Sequence, residues 1–523
     1  MSLAKVIFLI CVLLISSFSG CIFLQQTHFT LLSLVVDDDS GFPCIVVEFN
    51  ISDLSVVTLT DPQQTILFSD TYYYGVHNVS MYLSSYRTSI APGTYRLQAV
   101  DPSKNTIFEN ELRFNGANLS FVSLSVDAWV KKTRSSIIAL HLTFKNSGDL
   151  PAYPNKIVVH QGTSIVETIL PPSVVLPYDT TQVTCFVPLL EPAAEENQLA
   201  ISVFDNAGDI LIQSSPTILK RNYVDSWEYT WYYFGQHILS VPQVDWFFDY
   251  YKSLARFDIV DYSAYVFDPY DDQFLEFLIG QILALKDLRS NVEIINFIAS
   301  FVQSIEYKND DPESASYEYP RYPLETLKEQ RGDCEDKAIL TAALLDNLGY
   351  NVSLLRLPSH MAVGVQLNET IPGYSYYIDQ YYFLETTALH MTLGRVPSEY
   401  EGLTNVTVCP ISQRPLLIHS WKSATRYQIT TGEDYVCVRM ILENLGTTAA
   451  SSIEIRGAFY DDGDQLYNLQ TMTILPIAAG EKRLAELSVD VPIALAKNAT
   501  ILKTQVYIDG VMVHKRESTS RFP

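Results

Sequence analysis

The chain has little that would build a metal centre or a disulfide scaffold. Its 523 residues hold seven cysteines, with no C-x-x-C spacing, and nine histidines, none in an H-x-x-x-H pair. This disfavours a zinc enzyme, and no cofactor or metal is expected. Basic residues are scarce: 35 Lys and Arg stand against 59 Asp and Glu, a net charge of -24 that argues against nucleic acid as a partner. Beyond the first 21 residues no run is long and apolar enough to span a membrane.

Those first residues read as an export signal. Lys5 is the basic start, Val6 to Ile15 the apolar core, and Phe18-Ser19-Gly20-Cys21 the cleavage region. The small residues before Cys21 resemble a prokaryotic lipobox, which implies lipidation of Cys21. A plain secretory signal and an uncleaved anchor helix are the alternatives. The rest of the chain is then expected outside the cell, tethered to the membrane through the N-terminal lipid, or secreted. Sequons at Asn50, Asn78, Asn118, Asn351, Asn368, Asn405 and Asn498 fit glycosylation in that location. Cys409 and Cys437 could pair, though nothing in the sequence requires it.

The length calls for several domains. Residues 22–120 alternate apolar and polar residues in short runs broken by turns, the pattern of a small β-sandwich. Ala91-Pro92-Gly93-Thr94-Tyr95 resembles a turn of surface Ig-like modules. Residues 121–220 form a second β-rich unit that recurs at 419–523. Phe144-Lys145-Asn146-Ser147-Gly148 compares with Leu442-Glu443-Asn444-Leu445-Gly446, and Leu-Pro follows each Asn at nearly the same interval, at Leu176-Pro177 and Leu475-Pro476. Two related sandwiches, resembling Ig-like spacer modules, are expected to bracket the middle of the chain.

Residues 221–418 differ. Tyr229-Thr230-Trp231-Tyr232-Tyr233-Phe234 reads as aromatic and irregular, while 274–288 and 292–305 show helical spacing. Asp268, Asp271 and Asp272 fit a helix start. Asp310-Asp311 could touch Ca²⁺ but reads better as a solvated loop. Tyr319-Pro320-Arg321-Tyr322-Pro323 then leads to Arg331-Gly332-Asp333-Cys334-Glu335-Asp336-Lys337, which runs into an apolar helix ending at Gly349. Asp333 is a good N-cap, which puts Cys334 at the first helical position, where unpaired amides favour a thiolate.

Three strands are expected next: 352–357, 360–367 and 376–386. A symmetric hairpin about Pro372-Gly373 sets position 360 opposite 385, so Glu385 would lie beside His360, with Asp379 the other acid nearby. A thiol at a helix start, an imidazole heading a strand and a carboxylate on the next strand is the set that thiol acyl transfer needs.

These residues resemble the transglutaminase-like superfamily: Gly332-Asp333-Cys334 before an apolar helix, Gly349-Tyr350, His360 leading a strand, and Glu385-Thr386-Thr387 where the family usually has Asp-x-Thr. The lead-in and the His360-Met361-Ala362-Val363 strand look closest to versions in secreted and surface proteins of archaea. The resemblance implies a papain-like α+β domain flanked by Ig-like β-sandwiches, with Cys334, His360 and Glu385 as catalytic residues. It departs from the pattern at Glu385 and at Ala362, where members often carry an aromatic. The expected function is a surface-anchored cysteine enzyme acting on amide bonds of protein or peptide substrates at the cell envelope, with hydrolysis slightly ahead of cross-linking. The rival is a non-catalytic adhesion or binding module.

Overall fold

The computed structural model describes residues 28–131, 134–161, 164–190, 198–257, 259, 261–310, 319–411, 413–428, 434–492 and 500–519. The 1–21 signal with Cys21, as well as Asp311 and Asn498, lies outside the described residues. The chain is mostly β, with thirty strands and five α-helices among the described residues. None of these helices is long and apolar enough to cross a membrane. The chain divides into two compact units: residues 1–125, 141–184 and 194–220 form one, and residues 126–140, 185–193 and 221–523 the other.

In the first unit, alternation has its usual consequence. Ser55–Thr60 buries every second residue, and its four-stranded sheet shares an apolar core with the sheet of Phe29–Asp39, Phe42–Ile51 and Gly75–Tyr82. Val57, Leu59 and Leu97 from one sheet meet Ile45, Val47 and Phe49 from the other.

The repeated Asn-x-Gly motif has a physical basis in both units. Asn444 is fully buried. Its Oδ1 accepts from the Leu416 and Gly446 amides, and its Nδ2 donates to the carbonyls of Thr448, Ile477 and Ala478. Asn146 repeats the pattern, accepting from Asn118 and Gly148 and donating to Leu150 and Val175. The glycines are needed for close approach: a Cβ at Gly446 would sit 2.3 Å from the Arg414 carbonyl oxygen, and one at Gly148 would sit 2.1 Å from that of Gly116. Asn444→Leu removes hydrogen bonds to five backbone groups, of which the Ile477 and Ala478 carbonyls keep a second donor in the Ala450 and Glu481 amides. We expect a local loss of about 3 kcal/mol, read as roughly 10²-fold faster hydrogen exchange at the Leu416 and Gly446 amides.

Residues 229–234, read as irregular from sequence, fall in a hairpin of Ser226–Tyr232 and Gln236–Pro242. Trp227, Tyr229 and Trp231 alternate into the core, which makes this an ordinary half-buried strand. Helix α1 spans Asp245–Ser253, α2 Asp272–Leu283, α3 Asn291–Gln303, α4 Pro323–Glu329 and α5 Cys334–Asn347. Helix α5 is buried along 335–345 and packs against α2, α3 and α4 and against a four-stranded sheet. The strand order in that sheet is Tyr382–Leu384, His360–Gln366, Asn351–Leu357, Thr407–Pro410. Gly349, with φ +81°, ends α5: its amide reaches Asp346 and the Tyr350 amide reaches Leu345.

Candidate active site

Helix α5 starts where the residues require it. The carboxylate of Asp336 accepts from the Asp333 amide (3.3 Å), and Asp333 reciprocates in a capping box. Gly332 is forced by the same contact, since a Cβ there would come within 2.7 Å of the Asp336 side chain. The Tyr-Pro-Arg-Tyr-Pro lead-in clamps this start. Pro323 opens α4, and the Arg321 guanidinium ion-pairs with Asp336, Asp310 (2.9 Å) and Glu329 (3.3 Å). Burial pushes the Asp336 carboxyl up to about 7, with Arg321 pulling it back. Cys334 is thereby held at the first helical position, half-buried.

Strand Asn351–Leu357 turns back through Pro358-Ser359, with Ser359 at φ +56°, and Leu357 pairs with His360. His360 therefore heads the next strand. Its partner strand is shorter than expected, only Tyr382–Leu384, and the register is Val363↔Leu384, two residues on from the symmetric hairpin. Because the side-chain period is two, this even shift keeps Glu385 on the His360 face. His360 Nε2 meets Glu385 Oε2 at 3.1 Å, and both side chains are nearly inaccessible, at 9% and 2% exposure. Asp379, the rival acid, is exposed at a turn.

The Glu-Thr-Thr triplet explains itself. The Thr386 and Thr387 amides donate to Glu385 Oε1 (3.1 and 2.8 Å), and the Thr387 hydroxyl donates to the same oxygen. Burial alone would raise the Glu385 carboxyl. The hydrogen bonds from His360 and Thr387 outweigh it and hold the group at about 2. Beneath it, Gln303 Nε2 donates to the Glu385 carbonyl (2.8 Å), and the fully buried Lys337 donates to the Gln303 and Ile305 carbonyls. Sequence reasoning missed Gln303 and Lys337, although Cys334, Lys337 and Thr341 share one helical face, the available signal.

The sulfur of Cys334 lies against the His360 strand, within reach of the Met361 backbone N–H. Here one expectation is corrected. The thiol is not poised as a thiolate by the helix start. Its S–H donates to Glu335 Oε2 at 3.1 Å. Burial pushes the thiol well above its ordinary value, the Glu335 carboxylate pushes it further, Asp333 adds to this, and the Met361 amide pulls it back only in part. A helix terminus contributes on the order of 1 kcal/mol, less than burial and adjacent carboxylates can oppose.

Asp310, Asp333 and Glu335 bring one oxygen each within 4.8 Å, a spacing that could hold a cation. Asp310 is engaged by Arg321 and by the Tyr319 amide, so a guanidinium already supplies positive charge there. Cys409 and Cys437 are free thiols. The six sequon asparagines that are described are all exposed. A cavity of about 720 Å³ opens beside the His360–Glu385 pair, with Tyr374, Met391, Arg395 and Tyr400 in its wall.

The class these features define is a Cys–His–carboxylate site on an α+β domain. Residues 281–388, which include all three side chains, match the model of a family described as a transglutaminase-like domain, and this stretch is a transglutaminase-like domain. No curated protein matches the chain. Among solved structures, red sea bream transglutaminase aligns over 77% of this chain and 82% of its own, at 12% identity and a TM-score of 0.16. A Bacteroides fragilis protein assigned as a β-galactosidase aligns over 32% and 30%, at 10% identity and a TM-score of 0.16. Superpositions this loose carry no weight for fold or chemistry.

Proposed function

We propose that the chain is a surface-anchored cysteine enzyme acting on amide bonds of proteins or peptides at the cell envelope. One observation carries the reading: a buried His360–Glu385 pair stands beside Cys334, whose sulfur lies against the Met361 amide. With Nε2 taken by Glu385, Nδ1 of His360 is the nitrogen left for the thiol proton. The thiolate attacks the amide carbonyl and forms a C–S bond. The amides at the start of α5 stabilise the oxyanion. The C–N bond breaks as the imidazolium returns its proton to the leaving amine. Water, deprotonated by His360, then releases the acid and the thiol; a primary amine would give a cross-link instead. We favour hydrolysis slightly. The carboxylate of Glu385 fixes the imidazole tautomer and stabilises its cation.

In this reading Cys21 carries the lipid anchor and the exposed sequon asparagines carry glycans. Ig-like sandwiches at 22–120, 121–220 and 419–523 act as spacers around a catalytic domain at 221–418. A second reading, a binding module that uses the same fold, is favoured by the thiol's hydrogen bond to Glu335 in place of His360.

The deciding experiment incubates the chain from residue 22 with a glutamine- and asparagine-rich peptide library, with and without a primary amine, and reads products and Cys334 adducts by mass spectrometry. Cleaved or deamidated peptides, lost in Cys334→Ser, are expected. No turnover and no adduct in either protein would establish the binding module.

A further inference from the structure

Tyr400 lies outside the stretch matched by the family model, on a short 3-10 turn, Ser398–Tyr400. Its ring stacks face to face on the His360 imidazole, with centroids 4.8 Å apart and planes 3° apart. The turn is held in place: the Tyr400 amide donates to the Pro397 carbonyl (2.9 Å), and the Tyr377 hydroxyl donates to the Tyr400 carbonyl (2.9 Å). Below the ring lies a small apolar cluster of Leu355, Leu357, Ala362 and Phe383. Ala362, two residues along the strand from His360 and on the same face, belongs to this cluster. The other side of this arrangement is the cavity, whose wall includes Tyr400, His360 and Glu385.

We propose that Tyr400 is a positioning residue for the reaction: it holds the imidazole in the plane where Nε2 meets Glu385, and its electron-rich face stabilises the imidazolium that receives the thiol proton. A parallel phenol against the ring leaves imidazole rotation about its side-chain bonds blocked on one face. The negative face of the phenol attracts a cation above it and gives nothing comparable to the neutral ring. The groups that face His360 are Glu385 and the Tyr400 phenol; Glu399 and Cys334 neighbour Tyr400, and Tyr307 is close to both Cys334 and Tyr400. Burial raises both phenols, so neither titrates across the working range.

The inference rests on the acyl-transfer reading for its catalytic meaning, so the test has two arms. In the first, the pH dependence of Cys334 alkylation is measured in the wild type, Tyr400→Phe and Tyr400→Leu. Tyr400→Phe is expected within about twofold of the wild type, because the ring remains. Tyr400→Leu is expected to label about tenfold more slowly at pH 6, with its rising limb moved to higher pH. In the second, the His360 imidazole is titrated by NMR in protein labelled at histidine Cε1, assigned by loss of its signal in His360→Ala. The imidazolium of Tyr400→Leu is expected to deprotonate at lower pH, and the ring-current shift on the His360 signal to disappear. Unchanged titration in Tyr400→Leu, or damage in Tyr400→Phe equal to that in Tyr400→Leu, overturns the proposal. A wild-type thiol that ignores His360 overturns the acyl-transfer reading alone, since the NMR arm still reports on the stack.

Discussion

His360→Ala is expected to slow iodoacetamide labelling of Cys334 at pH 6 by about 10²-fold or more. The expectation follows from where the thiol proton can go. Burial and the carboxylates of Glu335 and Asp333 hold the thiol protonated, so the sulfur becomes a nucleophile at this pH only by passing its proton to the imidazole. Glu335→Gln should act in the opposite direction. It removes the adjacent charge and a charged acceptor, and labelling at pH 7 should rise by about tenfold. Glu385→Gln falls between, since it keeps the shape of the side chain while removing the charge that steadies the imidazolium. Mass mapping separates the sites, and the background is low: Cys44, Cys185, Cys409 and Cys437 are buried, and burial pushes the last three up to about 12. If His360→Ala labels as fast as the wild type, the Glu335 contact describes an inert thiol and the binding-module reading stands.

Arg321→Met should cost about 3–5 kcal/mol of stability and loosen the start of α5. The guanidinium is about nine-tenths buried and bridges Asp336, Asp310 and Glu329, while Asp336 is completely inaccessible. Removing the cation leaves a buried carboxylate without its counter-charge. The pH dependence follows from the sign of the shift. The folded-state pKa of Asp336, about 7, lies above its unfolded value, so its contribution is fully present below the unfolded pKa and is lost as pH rises through 7. Without Arg321 that carboxyl rises further. The variant should therefore lose more stability relative to the wild type at pH 8 than at pH 5. Denaturant unfolding at the two pH values measures this, with Cys334 labelling as a probe of the helix start. An equal loss at both would mean that Arg321 acts through packing alone.

Features set by nearby residues were legible in the chain. Asp333, Cys334 and Gly349 mark a helix start and stop because capping and positive φ involve residues only a few positions apart. The Asn146 and Asn444 repeat could be seen because the same buried network demands the same Asn-x-Gly wherever it is built. Even the partnership of His360 with Glu385 was within reach. It depends on the parity of a hairpin, and the two-residue difference in register left that parity intact.

What could not be read from local pattern depends on burial and on distant segments. The aromatic run at 229–234 looked irregular because its alternation becomes visible only once Trp227, Tyr229 and Trp231 have a core to enter. A helix start alone argues for a thiolate, whereas tertiary structure buried Cys334 and turned Glu335 onto it, reversing the balance. Tyr400 arrives from a turn with no motif, and its place over His360 follows from the Tyr377 hydroxyl and from the apolar cluster on which it packs. By itself the sequence determined the Asn-x-Gly repeat, the start of α5 and the three candidate residues, because capping, alternation and strand parity are short-range rules. The protonation of the thiol, the support beneath Glu385 and the ring over His360 were decided only in the tertiary structure, because desolvation and stacking exist only where distant segments meet.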